Sequence, residues 1–350
     1  MVTEIFKIDV DDLDAFSQEM KRAADKIREG GLVVFPTETV YGLGGDATNP
    51  EAARKIYAAK GRPSDNPLII HIADPSDAEK YAVTSELYYR LAEKYMPGPL
   101  TVILEAKATV PPETRGGLST VAVRCPENKI ARRLIADAGV PIAAPSANLS
   151  GSPSPTTASH VIDDMLGRVD VIIDGGSCDF GLESTIVKIE GDSLLLLRPG
   201  KITPEELSLL CDVSIAHAVV DKLAEGERAI SPGMKYRHYA PASPVVLLDG
   251  SIEDQIEYII GDASGKIAII SYTEDEKIFA EAIPNAETYD LGGRDDSASQ
   301  ARALFAILRE ADKRNYSKIY APLPDKRGIG LAVYNRMIRA AAHTIIKLGR

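Results

Sequence analysis

The chain has 350 residues, more than one hydrophobic core commonly covers, so two domains are expected. Hydrophobic residues make up 45% and charged ones 26%, and the formal net charge of −11 excludes indiscriminate binding of nucleic acid or anionic membrane by the whole surface. Three cysteines (Cys125, Cys178, Cys211) stand far apart with no C-x-x-C pair, and no apolar run reaches the length of a membrane span. Neither a disulfide framework nor a zinc site is indicated, residues 1–14 carry no apolar leader, and a reducing cytoplasm is the expected setting.

Apolar residues at helical spacing predict a first helix over 13–29, stopped by Gly30-Gly31, and a short strand over 32–35 follows, ended by Pro36. Next stands Thr37-Glu38-Thr39-Val40-Tyr41-Gly42-Leu43-Gly44-Gly45, whose close glycines admit a ligand or another backbone and whose threonines offer hydroxyls. It matches neither the dinucleotide turn nor the Walker loop, and reads equally as a plain strand-turn junction. A helix over 50–59 breaks into Lys60-Gly61-Arg62-Pro63-Ser64-Asp65-Asn66-Pro67, because Pro63 biases Arg62 toward extended backbone. Lys60 and Arg62 are thus expected together on an exposed loop, a pairing suited to a polyanion, although K-x-R alone is commonly a solvated turn. The strand 68–72 anchors the far side and carries His71, which reads as a binding group or as a packed strand histidine.

Helix 84–95 and strands 100–106 and 120–124 come next, the last running from Thr120 to Arg124. After helix 128–139, a buried strand over 140–144 feeds Pro145-Ser146-Ala147-Asn148-Leu149-Ser150-Gly151-Ser152-Pro153-Ser154-Pro155. Alternation of prolines with polar donors makes this a structured loop able to hold phosphates. Helix 156–166, strand 169–173 and a hairpin over 183–197 deliver Ser184 and then Arg198 at a strand tip. Lys60, Arg62, Arg124 and Arg198 all fall at element ends, as one concave anion site at the strand ends of an α/β sheet requires.

Residues 229–241 contain Ser231-Pro232-Gly233-Met234-Lys235-Tyr236-Arg237-His238-Tyr239-Ala240-Pro241, too rich in aromatic and cationic side chains for a spacer. From Val245 four strand–helix units, ending in a helix over 329–348, predict a small parallel sheet with no phosphate loop. That domain is expected to position or regulate. The divisions expected are 1–212, a linker over 213–243, and 244–350.

The pairing of Lys60-Gly61-Arg62 with Ser146-Ala147-Asn148, behind the stretch from Phe35 to Gly44, resembles the threonylcarbamoyl-AMP synthase family; the segment from Ser231 to Pro241 with a trailing α/β domain resembles its longer members. The resemblance spans essentially the whole chain. It implies an α/β fold made of a YrdC-like twisted open mixed sheet with a concave active-site face, plus a small Rossmann-like parallel domain. The implied reaction joins L-threonine, bicarbonate and ATP, with Mg²⁺ carried by the ATP, into threonylcarbamoyl-AMP and pyrophosphate, for N6-threonylcarbamoyl modification of adenosine 37 in tRNAs reading ANN codons. Lys60, Arg62, Asn66, Thr120, Ser146, Asn148, Ser154, Arg198 and His238 would then face ATP, with Lys60, Arg62, Ser146 and Asn148 nearest the chemistry. Thr37 or Thr39, His71, Arg124, Ser184 and the backbone of Ala144 would face threonine, since Ala144 and Pro145 offer no hydroxyl. Tyr236, Arg237, His238 and Tyr239 would form a lid. No protein-held metal, no membrane contact and no strong direct tRNA binding are expected; the adenylate would pass to a threonylcarbamoyl-transferase complex. The competing readings are a double-stranded RNA or tRNA-binding module without catalysis, and a hydrolase or kinase using the C-terminal domain.

Overall fold

The computed structural model describes residues 1–221 and 239–349. Its larger sheet runs, edge to edge, through Glu4–Lys7, Val171–Asp174, Val33–Phe35, Gly42–Asp46, Ile142–Ala143, Ile69–His71, Thr120–Arg124, Leu100–Ala106, Thr185–Glu190, Ser193–Arg198 and Val213–Ile215, with Ala82–Val83 beside Leu100–Ala106. Parallel and antiparallel pairs are mixed. The period-two alternation of strands sorts side chains onto two faces. Val34, Ile70, Ala143 and Ile172 join a large cluster under helices Pro50–Lys60, Glu86–Tyr95 and Ala158–Met165, whereas Val33, Phe35, Ile142 and Ile173 pack under helices Ser17–Arg28 and Lys129–Ala138. These two helices cover only half of their face. On the uncovered half lies a smaller apolar floor of Ile69, Ile103, Ala122, Ile186 and Leu197.

The second sheet is wholly parallel, in the order Glu287–Asp290, Ile267–Ser271, Lys318–Pro322, Val245–Asp249, Ile345–Lys347. Its last strand corrects the expected helix over 329–348. The helix is Gly330–Ala340, and left-handed backbone at Ala342 (φ 48°) and His343 (φ 64°) turns the chain into a fifth strand. No glycine marks that stop, so the sequence pattern runs straight through it. The acidic N-terminus likewise hides a strand, Glu4–Lys7, paired in parallel with Val171–Asp174. The first sheet continues through Val213–Ile215, three residues beyond position 212. Among the described residues, no helix is long and apolar enough to cross a membrane.

The two layers are packed together. Val40, Phe180 and Leu182 belong to the second domain's apolar cluster, and Leu331 to the first domain's. Arg309 donates to Asp164 (2.7 Å) and to the Pro153 carbonyl (2.6 Å), and Arg336 pairs with Glu183 (2.9 Å). All four charged groups are buried or nearly so, which makes these contacts structural and not solvated decoration.

Candidate active site

Register explains why distant residues meet. His71 pairs with Arg124, Arg124 with Thr101, Thr101 with Ile186, and Ile186 with Arg198. Cross-strand partners share a face, so His71, Arg124 and Arg198 form one row over the uncovered floor. The 11-residue helix Pro50–Lys60 brings the remaining cations. Asn49 caps its start, accepting from the Glu51 amide, and Gly61 ends it at φ 63°, a left-handed conformation that suits glycine.

That ending corrects the exposed-loop expectation for Lys60. Lys60 is the last helical residue and only 3% exposed. Its Nζ donates to the carbonyls of Ser146 and Asn148, each at 2.5 Å, and to Asn148 Oδ1 at 3.3 Å, while its own carbonyl accepts from the Ser150 amide. Burial, then the neighbouring Arg62 guanidinium, pushes Lys60 well below the ordinary lysine range, against the opposing pull of Asp164 and Glu183. Arg62 folds back on its own turn, donating to the carbonyls of Asn66 (3.3 Å) and Pro67 (3.0 Å).

The three polar stretches become one wall. The Tyr41 amide donates to the Pro155 carbonyl, Leu43 to Pro145, and Ala147 to Tyr41. Gly44 permits this approach: a Cβ there would lie 2.7 Å from Ile142 and from the Phe35 ring. Gly44 therefore serves close packing of protein on protein, whereas Gly42 lines the cavity. Ser146 Oγ donates to Asn148 Oδ1 at 2.6 Å, which turns the Asn148 amide toward the Leu149 and Ser152 carbonyls. Ala144 lines the cavity, and its amide is given to the Ile69 carbonyl.

Two carboxylates that sequence reasoning missed organise the cations. Glu38 accepts from Arg124 Nη2 (2.5 Å, both side chains 5% exposed) and from the amides of Glu127 and Asn128. Arg124 Nε is buried without a partner among the described residues, a donor awaiting an acceptor. Glu183 accepts from Ser154 Oγ (2.5 Å) and from Arg336. Burial alone would raise Glu183, but Arg336, Arg198 and Ser154 outweigh it and hold it below the ordinary range. Arg198 is lowered to about 10 by burial, against the opposing pull of Glu183, and it donates to the Ser184 carbonyl and hydroxyl at 3.0 Å each. Burial, then Arg124, lowers His71 to about 3, so the imidazole is neutral; Nδ1 lies 3.3 Å from the Ile142 carbonyl and the ring stands edge-on to Phe35.

Of the residues singled out from sequence, Thr37, Lys60, Arg62, His71, Arg124, Ala144, Ser146, Asn148, Ser154, Arg198 and Tyr239 line one cavity, together with Glu183. Four cations face one carboxylate there, in a chain whose net charge is −11. Thr39 stands behind Thr37, hydroxyl to hydroxyl at 2.8 Å. Asn66 and Ser184 are buried in the supporting layer, and Thr120 begins the strand whose other end carries Arg124. Tyr236, Arg237 and His238 lie outside the described residues. Among the described residues no group of three or more His, Cys, Asp or Glu could hold a metal ion.

Fold and site together define an α/β protein with a cavity lined by Lys60, Arg62, Arg124 and Arg198 on one face of a mixed sheet. A family model described as "Telomere recombination" matches residues 25–200, and one described as "Threonylcarbamoyl-AMP synthase, C-terminal domain" matches residues 202–342. The chain is 40% identical to the threonylcarbamoyl-AMP synthase of Bacillus subtilis over 99% of its length and all of that protein, and 43% identical to that of Pyrococcus abyssi over 94% and 96%. The solved structure of P. abyssi Sua5 complexed with L-threonine superposes with a TM-score of 0.88 at 39% identity, covering 100% of both chains. The chain belongs to the threonylcarbamoyl-AMP synthase family, in its two-domain form.

Proposed function

We propose that this protein makes L-threonylcarbamoyl-AMP from L-threonine, bicarbonate and ATP. The observation that carries the reading is the row His71–Arg124–Arg198 set opposite Lys60 and Arg62, four cations to one carboxylate in a buried cavity. The threonine amine and bicarbonate condense to a carbamate with loss of water. A carbamate oxygen then attacks the α-phosphorus of ATP as the bond to pyrophosphate breaks. Both reactants are anionic, so the task is to hold two like charges in line and to receive the charge that develops on the departing pyrophosphate. Lys60, Arg62 and Arg198 suit the triphosphate. Arg124, whose Nε has no partner among the described residues, suits the threonine carboxylate, and the Ala144 carbonyl suits the amine. Neutral His71 and Thr37 complete the wall against which the threonine side chain would pack.

ATP enters as its Mg²⁺ complex, with the cation on phosphate oxygens, because Glu183 is already spent on Ser154 and Arg336. On this reading the protein works in the cytoplasm, where the product passes to a transferase acting on tRNA. The test is pyrophosphate release measured with each substrate left out in turn. Release that requires both L-threonine and bicarbonate is expected; release indifferent to either contradicts the reading.

A further inference from the structure

Arg336 belongs to helix Gly330–Ala340 of the second domain and is fully buried, yet it serves the wall of the first domain's cavity. Its Nε donates to Glu183 Oε2 at 2.9 Å, its Nη1 to the Pro199 carbonyl at 2.8 Å, and its Cζ sits 5.8 Å from the centroid of the Tyr239 ring. Glu183 and Tyr239 both line the cavity, and Pro199 follows Arg198 directly. The other oxygen of Glu183 accepts from Ser154 Oγ at 2.5 Å. A serine hydroxyl has one proton, and here it is given to the carboxylate, so Ser154 offers the cavity only lone pairs. Its partner must then be a donor, an amino or hydroxyl group of the nucleotide or amino acid, and not a phosphate oxygen.

We infer that Arg336 is a positioning residue supplied by the second domain: through Glu183 it fixes Ser154 as a hydrogen-bond acceptor toward the substrates, and through Pro199 it holds the strand end that carries Arg198. The inference rests on the functional reading above. It also gives the second domain a direct part in the site without a phosphate loop of its own.

The test uses the full chain with Arg336→Met, Arg336→Lys, Glu183→Gln and the double variant Glu183→Gln/Arg336→Met. Each is measured for threonine- and bicarbonate-dependent turnover, for ATP affinity by calorimetry, and for thermal midpoint. In Glu183→Gln the amide oxygen must face Arg336, which aims the amide protons at Ser154 and reverses its polarity. Losses of about tenfold or more in kcat/KM are expected for Arg336→Met and Glu183→Gln, the scale of one charge-assisted hydrogen bond. In the double variant these losses do not multiply, because both act through one path. Should Arg336→Met fail to fold, Arg336→Lys decides, since it keeps the charge and loses the fork that spans Glu183 and Pro199; a drop of about fivefold or more is expected. Folded variants at Arg336 within about threefold of wild type in both turnover and ATP affinity, or losses that multiply, overturn the inference. A wild type without turnover overturns the functional reading alone, and the ATP titration still judges Arg336.

Discussion

Lys60 combines two demands that a solvated cation never faces. On the proposed function it must stay charged enough to meet a triphosphate, and it must satisfy a loop from inside the fold. Lys60→Ala is therefore expected to lower adenylate formation by about two orders of magnitude or more, the scale of one lost transition-state contact. It should also cost stability, because the Ser146 and Asn148 carbonyls lose a buried donor at about 1–3 kcal/mol each. Arg62→Ala should lose comparable activity with little change in thermal midpoint; equal midpoints for both variants would contradict the burial argument. His71 gives a pH signature. Its folded value of about 3 lies below the ordinary 6.5, so between these the unfolded chain binds a proton that the native state refuses. Stability is thus fully present above 6.5 and is lost as pH falls toward 3, by at most about 1.4 kcal/mol per pH unit. Glu183 and His160 also weaken the fold in acid, so the difference between wild type and His71→Asn isolates the effect. Midpoint curves that stay parallel from about pH 7.5 to about 4.5, which spans the onset of that loss, would contradict it. Threonine should exceed serine in kcat/KM by no more than about 1–3 kcal/mol, the reach of one packed methyl group.

The elements carry these residues, and their ends decide the site. Gly61 sits at φ 63° with open space where a Cβ would stand, so Gly61→Ala meets only the left-handed penalty, about 1–2 kcal/mol. Thermal or denaturant unfolding checks it; a neutral effect would mean that the helix end relaxes freely, and the geometry of Arg62 would then be soft. Elements with apolar runs and firm stops could be read directly, as with Leu100–Ala106, Thr120–Arg124 and Ile267–Ser271. Glu4–Lys7 and Ile345–Lys347 could not, being short edge strands with only partial burial that owe their state to a neighbour. The same reason divides the site. Cations at or just beyond element ends announce themselves by type and position, so Lys60, Arg62, Arg124 and Arg198 were visible. Glu38, Glu183 and Arg336 were not, since each is defined by a partner 86 or 153 residues away. The exposure of Lys60 was misjudged because the loop that buries it lies 86 to 88 residues further on.

At the scale of the molecule, the second domain closes the first. A chain cut after residue 221 leaves Val40, Phe180 and Leu182 without their apolar partners and leaves Asp164 and Glu183 without Arg309 and Arg336. The packing predicts a fragment with a clearly lower midpoint and a tendency to associate, because a buried ion pair that loses one partner costs about 3–5 kcal/mol. A fragment as stable as the whole chain by thermal unfolding, and monomeric by sedimentation, would contradict this. What unites the scales is the proposed function, in which the cavity would bring a carbamate against a nucleotide. The most direct measurement is mass spectrometry of the products formed from L-threonine, ¹³C-bicarbonate and MgATP. Threonylcarbamoyl-AMP bearing a single ¹³C, with one pyrophosphate released for each, is expected; unlabelled AMP as the sole nucleotide product, or no threonine-dependent consumption of ATP, would contradict the proposed function.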